Sequence, residues 1–475
     1  MSGSPPSAPT GVPAPRDEDP TAAATADKRV LVIAVVVMLL LVSFGVVSGA
    51  LFNPSACATI DPDPVAAGVA GGSDDLDRVL AATFPDTDQE TLGAMAGALD
   101  SLSERLGPVT GVAEVTGATG LGVTERGIAA IGPVTSSLDP GGSEVLARVD
   151  VGDGQVVGSG DTLWSVAAVN ELTGQVDAVT PLDPELEART CVNTSLINSP
   201  LAFALDARDD QLLLLRINED GGEPELELRD AVQGRVWGPM LDIGIAQPGL
   251  QGARLTGRLG PGSVVTGMRT SPGDEMPVVT AVERDTGATA WLLGRDDLDA
   301  LLGGASLDDE MSQTATVWAV GEDRAIVSLA ADPDDPAAAE VTFPTRLLAL
   351  DLDGGELIWD AALGDGDAVG HVELDGDATW ITTVADGDEV GFERFDANGE
   401  VTLGTGTGGV EGRTAVLDDG RVVTASDESI GLIEQRESFA VGSDLQARDV
   451  VAHDDAVTLL LDGPDGGTIA VTFGT

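Results

Sequence analysis

Short apolar runs alternate with turns rich in glycine, aspartate and proline over most of the chain after the first hundred residues. The run Leu347–Leu350, in RLLALDLDGGELIWD, contains no polar residue, which is typical of a strand buried on both faces. Asp353, Gly354 and Gly355 predict a tight hairpin turn through positive-φ positions and side-chain bonds to the backbone. Trp359 follows Gly355 by about four residues, so we expect it on the returning strand, where it covers the next sheet.

Weaker copies of this segment recur along the chain. Each copy has an apolar strand and a turn glycine, and the segment itself and two of its copies carry a tryptophan on the returning strand. The turn glycines are Gly174, Gly234, Gly287, Gly355 and Gly399, and the tryptophans are Trp237, Trp291 and Trp359. Because the glycines lie about 44 to 68 residues apart, with several strands in each interval, the pattern favours a β-propeller.

The pattern Ala-x-Asp-x-x-Thr-Gly-x-x-x-Trp resembles the repeat of the PQQ-like (quinoprotein dehydrogenase-like) β-propellers, most closely their membrane-anchored, non-catalytic members. The resemblance covers about 149–475 and is clearest at 282–291 and 349–359. It implies an all-β domain over 108–475 with four-stranded blades, about seven in number, with six or eight as alternatives. A β-sandwich is the other fold considered. The last repeat is short, so we expect a strand from 122–134 to complete it.

The first part of the chain predicts a membrane anchor. Residues 1–28 are rich in Pro, Ser, Ala and Thr, which is typical of a disordered tail. Residues 29–52 hold an uninterrupted apolar run of about 23 residues, long enough to cross a bilayer as a helix. Lys28 and Arg29 precede this run and no basic residue follows until Arg78. The positive-inside rule therefore predicts a single-pass protein of the cell membrane, with its N-terminus cytoplasmic and the bulk of the chain extracytoplasmic.

Cys57 and Cys191 are the two cysteines of the chain. In an extracytoplasmic compartment an even pair predicts a disulfide, with two free thiols as the alternative. Ala56-Cys57-Ala58 also has the form of a signal-peptidase site, so a cleaved signal peptide is the alternative to the anchor. The two questions are linked, because cleavage after Ala58 would remove Cys57.

Two helical patterns separate the anchor from the predicted propeller. Residues 53–72 are rich in Pro and Gly and predict a linker. Within residues 73–107, we expect Ser73 to cap a first helix and a Thr87–Glu90 capping box to begin a second. The apolar spacing predicts surface helices packed on the domain, with a membrane-proximal coiled coil as the alternative.

The chain is strongly acidic, with a net charge of −56 at pH 7 and a pI of about 4.1. Phosphate contacts need clustered basic residues, so we predict no nucleic-acid partner. The acidity is spread over every loop, which favours solubility in a salt-rich habitat over a specific cationic partner. Acidic clusters such as Asp351–Asp353 lack the ligand spacing of an EF-hand, so turn chemistry explains them better, and we predict no metal site.

Motifs for catalysis are sparse. His371 and His453 are the two histidines, and neither has the ligand spacing of a zinc site. No G-x-S-x-G motif is present, while a Ser-His-Asp triad stays open because its members are distant in sequence. The PQQ-dependent dehydrogenases that the repeat resembles imply a calcium-bound quinone, but no cofactor-binding residue can be matched here. We therefore predict no cofactor and no catalytic residue.

These patterns together predict an extracytoplasmic propeller that acts as a protein-interaction or scaffolding module. Loops on a rigid scaffold usually carry the contacts, and the expected partner is an envelope protein or a peptide. The alternative is a ligand-binding sensor or an enzyme that uses the central channel, as quinoproteins do. That alternative predicts convergent polar groups and a perturbed ionisable group at the channel mouth. An inert structural surface protein is a third hypothesis.

Overall fold

A computed structural model describes the protein over residues 63–151, 155–158, 160, 162–167, 178–188, 192–193, 201–217, 225–240, 255–270, 277–302, 312–332, 346–363, 368–384, 390–406, 413–417, 421–426, 429–432, 437–441 and 444–474. All the described residues lie in one unit of the chain, Ala56–Thr475. The predicted tail and anchor, together with Cys57, Cys191 and Gly174, lie outside the described residues. Within the described ranges no helix is long and apolar enough to cross a membrane.

The predicted all-β fold is confirmed. The first three strands are β1 (Asp63–Pro64), β2 (Ala70–Gly71) and β3 (Val109–Glu114). Sheet 1 contains β4 (Gly120–Thr124), β5 (Gly127–Ile131), β6 (Val134–Leu138) and β7 (Val145–Asp150), and sheet 2 contains β8 (Gln155–Val157), β9 (Leu163–Ala167), β10 (Ala178–Leu182) and β11 (Val192–Asn193). Sheet 3 contains β12 (Leu201–Arg208), β13 (Gln211–Ile217), β14 (Glu225–Asp230) and β15 (Gly234–Met240), and sheet 4 contains β16 (Leu255–Leu259), β17 (Ser263–Thr270), β18 (Pro277–Glu283) and β19 (Thr289–Gly294).

The second half of the chain continues in the same way. Sheet 5 contains β20 (Ser312–Val320), β21 (Arg324–Asp332), β22 (Arg346–Asp351) and β23 (Leu357–Ala362), and sheet 6 contains β24 (Ala368–Asp375), β25 (Ala378–Val384), β26 (Val390–Phe395) and β27 (Val401–Gly406). Sheet 7 contains β28 (Arg413–Val416), β29 (Val422–Ser426), β30 (Ser429–Leu432) and β31 (Glu437–Ala440), and sheet 8 contains β32 (Gln446–His453), β33 (Ala456–Asp462) and β34 (Thr468–Gly474). In each sheet consecutive strands pair antiparallel, and two residues of β17 also pair with β20, joining sheets 4 and 5.

Sheet 8 combines the two ends of the described chain. Strand β3 pairs antiparallel with β34, with Val112 opposite Val471, and supplies the fourth strand. The expectation that 122–134 completes this sheet is wrong, because those residues form β4 and β5 of sheet 1. Sheet 1 lacks a tryptophan repeat and consists largely of small residues, so its pattern is weak. The described strands thus fall into eight successive groups of four, of which the pairing of β17 with β20 joins two into one sheet of eight strands, while β1 and β2 add a fifth strand beside β7 and β3. The predicted number of about seven blades stays a prediction.

Buried apolar clusters lie between each sheet and the next. Each cluster contains residues of two consecutive sheets, and the last one joins sheet 8 to sheet 1. Representative pairs, from sheets 1–2 through to sheets 8–1, are Ala129 and Val156, Val166 and Leu212, Leu213 and Val264, Val265 and Leu348, Ile326 and Val372, Trp380 and Val422, Val423 and Val457, and Leu460 and Ile128. Because a sheet between two clusters is apolar on both faces, Leu347–Leu350 is fully buried, as predicted.

Three helices accompany the described sheets. They are α1 (Leu76–Thr83), α2 (Gln89–Leu106) and α3 (Arg295–Leu301). The predicted packing of the second helix, α2, on the domain is confirmed, because its apolar face joins one buried cluster with sheets 7 and 8; α1 contributes to the same cluster. The predicted helix starts are wrong in detail: Ser73 lies in a 3-10 turn and makes no capping bond. The Asp88 carboxylate, not Thr87, caps α2 by accepting the Glu90 and Thr91 N–H groups at 2.9 Å.

The repeat tryptophans join consecutive sheets, as the sequence predicts. Trp237 lies on the fourth strand of sheet 3, and its Nε1 donates to the carbonyl oxygen of Arg284 in sheet 4 at 2.6 Å. Trp291 lies on the fourth strand of sheet 4, and its Nε1 donates to the carbonyl oxygen of Leu352 in sheet 5 at 2.9 Å. Each acceptor lies in a turn between the third and fourth strands. The two indoles therefore hydrogen-bond sheet 3 to a turn of sheet 4, and sheet 4 to a turn of sheet 5.

The turn glycines explain why an indole fits there. Gly355 has a φ of +72°, and a Cβ on it would lie 2.9 Å from the Trp291 ring. Gly399 has a φ of +77°, and a Cβ there would lie 2.6 Å from Trp359. Trp359 stacks on Phe395 of sheet 6, with ring centroids 5.3 Å apart. Glycine is thus required at each of these two positions for two reasons: the backbone is left-handed, and the aromatic ring leaves no room for a Cβ.

The polar side chain of the turn is not the predicted one. Asp351, which precedes the turn, accepts the N–H groups of Asp353 and Gly354 at 2.9 Å. Asp396 does the same in sheet 6 by accepting the N–H of Asn398 at 2.8 Å. These bonds form because a carboxylate at the end of a strand reaches the exposed N–H groups of the following turn. Asp351, the first residue of the acidic cluster Asp351–Asp353, therefore uses its carboxylate to stabilise the turn.

Candidate binding cleft

A cleft of about 860 Å³ opens where four consecutive first strands end. These strands are β12, β16, β20 and β24 of sheets 3 to 6, and each packs against the next. The chain turns back after each of them into an antiparallel second strand, so the four turns lie at the same end of the sheets. Charged side chains line the cleft together with apolar side chains such as Trp318 and Val372.

The first strands of three sheets contain β-bulges, seen as register shifts, close to the cleft. The pairing skips one residue at Leu205 in β12, at Trp318 in β20 and at Gly370 in β24. Such bulges bend a strand and change which way the neighbouring side chains point. Asp206 in β12 and Asp449 in β32 each directly follow a shift of this kind.

Three arginines, here called the cleft arginines, line the cleft: Arg208, Arg258 and Arg324. Each donates to a main-chain carbonyl oxygen of the following sheet. The acceptors are, in the same order, Leu259 at 3.2 Å from Nη1, Trp318 at 3.3 Å from Nε, and Gly376. A carbonyl oxygen fixes the guanidinium but has no formal charge, so these bonds do not themselves neutralise its positive charge.

Arg324 is the most deeply placed of the three. It is 3% exposed, and its Nε is buried without a hydrogen-bond partner among the described residues. A buried donor without a partner costs free energy, so it favours a ligand or water that can accept its hydrogen. Arg208 has no carboxylate of the described residues within ion-pair distance, whereas Arg258 lies 3.8 Å from Asp206.

Asp206 is the inner carboxylate of the cleft. Its Oδ2 accepts the N–H of Leu259 at 2.7 Å, across the gap between sheets 3 and 4. Burial raises the pKa of Asp206 above its ordinary value, although the positive charge of Arg258 acts in the opposite direction. The polar groups of Asp206 and the cleft arginines therefore converge, with one perturbed ionisable group among them.

Three further carboxylates, here called the rim carboxylates, lie in turns beside the cleft: Glu322, Asp323 and Asp377. All three are exposed to solvent. Glu373 also lines the cleft, and its Oε2 lies 3.5 Å from Nε2 of His371 in the same strand. Interactions between solvent-exposed charges are largely screened beyond a Debye length of about 8–10 Å. The exposed rim carboxylates therefore act on a charged ligand more weakly than the buried guanidinium of Arg324 does.

Asp449 repeats the contact of Asp206 outside the cleft. Its Oδ2 accepts the N–H of Leu121 at 2.7 Å and so ties sheet 8 to sheet 1. Burial raises the pKa of Asp449 too, against the positive charge of Arg413, whose Nη1 lies 3.4 Å away. Asp206 and Asp449 thus make equivalent hydrogen bonds to the next sheet, and burial raises the pKa of both. The raised pKa therefore goes with this inter-sheet bond and is not confined to the cleft.

The residues singled out by the repeat do not line the cleft. Gly287, Gly355 and Gly399 lie in turns between third and fourth strands and Gly234 begins a fourth strand, while the repeat tryptophans lie on fourth strands. His371 is half-buried in β24, and His453 is the last residue of β32. Sequence reasoning missed the cleft arginines, although ARDD, GRLGPG and EDR each place an arginine beside a turn.

The part of the chain that the structure describes contains no group of three or more His, Cys, Asp or Glu side chains that could hold a metal ion. No protein-family model matches this chain, and no curated protein matches its sequence.

Several solved structures show a distant likeness to this chain. The quinohemoprotein alcohol dehydrogenase of Comamonas testosteroni matches at 12% identity and a TM-score of 0.46, over 76% of this chain and 75% of that chain. A β-propeller domain from Myceliophteria thermophila matches at 12% and 0.40, over 77% and 99%. Dihydro-heme d1 dehydrogenase NirN matches at 12% and 0.43, over 67% of this chain and 64% of that chain, so this chain spans less than two thirds of that protein. Such distant likenesses assign no ligand, activity or residue role here.

Proposed function

We propose that this chain is a membrane-anchored, extracytoplasmic β-propeller that acts as a non-catalytic binding module for peptide segments. Its ligand occupies the cleft at the ends of β12, β16, β20 and β24. The observation that carries this proposal is the set of cleft arginines, whose guanidinium groups are held in place by main-chain carbonyl oxygens. Groups fixed before a ligand arrives lose little conformational entropy on binding, which is the physical basis of preorganised recognition.

The propeller architecture is supported by the order of contacts between the sheets. The buried clusters run from each sheet to the next and return from sheet 8 to sheet 1. The bond from Leu121 N–H to Asp449 crosses the same gap between the last and first sheets. Eight sheets in one ring would place all first strands around a common axis, with the cleft at one end of that axis.

The alternative of a sensor or enzyme has an observation in its favour. Asp206 is a perturbed ionisable group at the cleft, and convergent polar groups surround it, as that alternative predicts. Asp449 weighs against a catalytic role, because it has the same bond and the same direction of pKa shift outside the cleft. The shared feature is a buried carboxylate that joins two sheets. We therefore place Asp206 among the structural groups and give the cleft arginines the binding role.

An array of short peptides tests the binding function. The full-length protein in lipid nanodiscs is applied to immobilised hexapeptides that vary in charge and apolar content. We expect a defined subset to bind, and we expect Arg258→Gln to reduce that binding. Arg78→Gln is the matched control, since Arg78 lies on α1 and is exposed to a similar degree. Binding that is absent for every peptide, or equal for both variants, would contradict the proposal.

The anchor and the disulfide call for a separate measurement. The intact mass of the membrane-extracted protein is determined before and after reduction and thiol alkylation. We expect a full-length mass that takes up label at two cysteines after reduction only, as an anchored chain with a Cys57–Cys191 bond requires. Closing that loop of about 134 residues would stabilise the fold by roughly 4–5 kcal/mol in the chain-entropy model. A mass without the first 58 residues would instead show a cleaved, released protein.

A further inference from the structure

We propose that the cleft binds the carboxy-terminal carboxylate of a cationic peptide with an apolar last residue. This inference rests on the proposed function and names the chemistry of its ligand. It is carried by three features of one site: the charge of the cleft arginines, the position of the rim carboxylates, and the apolar surface of Trp318 and its neighbours.

The cleft arginines provide the anion-binding element. Their bonds to carbonyl oxygens use some of the five N–H donors of each guanidinium and leave others for a ligand. Arg324 adds a buried Nε without a partner among the described residues. Arg208 adds a guanidinium that donates to the carbonyl oxygens of Leu259 and Val320. A carboxylate fits such donors because two N–H groups of one guanidinium can bind its two oxygens side by side.

The negative charge around the cleft favours a ligand whose terminal carboxylate belongs to an otherwise cationic peptide. The rim carboxylates and the net charge of −56 repel ligands that are negative throughout, such as polyphosphates and acidic peptides. The same field attracts lysine and arginine side chains. A peptide that ends in one carboxylate but has basic residues before it satisfies both parts of the site, with its end among the arginines and its charged side chains near the rim.

The apolar lining suits the side chain of the last residue. Trp318 is fixed beside the cleft, because its Nε1 donates to Oγ of Ser328 at 2.8 Å. Val372 and Leu374 of the next sheet also line the cleft, and Trp318 and Leu374 are only half-buried and so offer apolar surface to a ligand. A leucine-sized side chain that covers this surface removes apolar area from water, which stabilises the complex by about 25 cal/mol for each Å².

Paired peptides separate the terminal carboxylate from every other feature. The probe is a fluorescent hexapeptide with two lysines and a final leucine, made once with a free carboxyl group and once as the amide. Its affinity for the full-length protein in nanodiscs is measured by anisotropy at low and at physiological salt. A third peptide is an amide with an internal aspartate, which distinguishes a terminal carboxylate from a side-chain carboxylate.

We expect amidation to weaken binding about tenfold or more, the loss that one charge-assisted hydrogen bond produces. Arg258→Gln and Arg208→Gln should each weaken the acid peptide by a similar factor and leave the amide almost unchanged. Arg78→Gln should change neither. Unfolding midpoints of all variants are compared, so that a folding defect in one arginine variant leaves the other as the test.

The possible results distinguish this inference from the proposed function. Equal affinity of acid and amide peptides, or an equal loss for both in Arg258→Gln, would overturn the inference while the binding function stands. Preference for the amide with internal aspartate would also overturn it. If neither these peptides nor any on the array bind, both proposals fail.

Discussion

Sheets 3 to 6 and sheets 7, 8 and 1 are joined to their neighbours by different side chains. In the first group an indole from a fourth strand covers the turn of the next sheet. The second group contains no tryptophan in its sequence. There, α1 and α2 bury their apolar faces with sheets 7 and 8, and Asp449 ties sheet 8 to sheet 1. One structural task is thus performed by a local repeat in one region and by long-range contacts in the other.

Phe84 shows how closely the second solution parallels the first. It ends α1, is fully buried, and lies over the turn between β33 and β34. A Cβ on Gly463 would lie 2.2 Å from its ring, and one on Gly467 would lie 2.8 Å away. An aromatic ring again covers a glycine turn. Here, however, the ring comes from a helix far away in the sequence, so no repeat marks it.

Removing either aromatic ring is the strongest test of this comparison. We expect Trp291→Ala and Phe84→Ala each to lower the free energy of unfolding by about 3–5 kcal/mol, because both rings are buried and leave a cavity. Leu292→Ala, beside Trp291 but 48% exposed, should change it by about 0.5 kcal/mol or less. Denaturant unfolding followed by circular dichroism measures all three. If only Trp291→Ala lowers the free energy of unfolding by this amount, Phe84 and the helices do not stabilise sheets 7 and 8 in the way that the indoles stabilise sheets 3 to 6.

Alanine at two turn glycines separates backbone strain from the close approach of the ring. Gly234 has a φ of +84° and open space where a Cβ would lie, so Gly234→Ala should cost about 1–2 kcal/mol from strain alone. Gly399 has a similar φ, but Trp359 occupies the Cβ position. Gly399→Ala should therefore cost about 1–3 kcal/mol more, the usual range for overpacking. Equal unfolding midpoints for the two variants would contradict the prediction, because they would mean that the Trp359 ring moves away from the added Cβ without a loss of stability.

Phenylalanine at two of the repeat tryptophans tests the indole N–H. Trp291 donates to the Leu352 carbonyl oxygen, whereas Nε1 of Trp359 has no hydrogen-bond partner among the described residues. Trp291→Phe should therefore cost about 1 kcal/mol more than Trp359→Phe, the net value of one hydrogen bond. Unfolding midpoints in the same denaturant give the difference. A larger loss at Trp359 would show that stacking on Phe395 outweighs the bond.

The buried aspartates give the smallest expected effect, and it depends on pH. Because burial raises the pKa of Asp449 above 3.8, the folded state binds more protons than the unfolded state between 3.8 and the raised pKa. Its contribution to stability is thus present below 3.8 and is lost as pH rises through the folded pKa. Asp449→Asn keeps an acceptor for Leu121 N–H but does not titrate. Its unfolding midpoint relative to wild type should therefore rise from about pH 4 to about pH 7.

Asp206→Asn provides the matched measurement in the cleft. Since Asp206 makes the same bond and has the same direction of pKa shift, its midpoint relative to wild type should change with pH in the same sense. Opposite trends for the two variants would separate their roles and favour a special function for Asp206. A fall of both variants' midpoints relative to wild type with rising pH would contradict the prediction, because it would mean that the ionised carboxylates stabilise the fold.

The sequence alone determined the features that depend on neighbouring residues. Alternating apolar runs and turns indicated an all-β chain, and Gly355 and Trp359 predicted a hairpin with a covering indole. The apolar run Leu347–Leu350 predicted a strand buried on both faces, which it is. These predictions succeed because turn geometry, strand period and burial are local consequences of side-chain type.

Tertiary structure alone decided what distant residues do together. The fourth strand of sheet 8 comes from β3 because hydrogen-bond pairing with β34 joins residues more than 350 positions apart. The cleft arginines stand singly in the sequence and meet only because the turns of four sheets lie at one end. Whether Asp206 and Asp449 titrate normally likewise depends on burial between two sheets. No local pattern encodes such contacts, because each is fixed by the packing of whole sheets on one another.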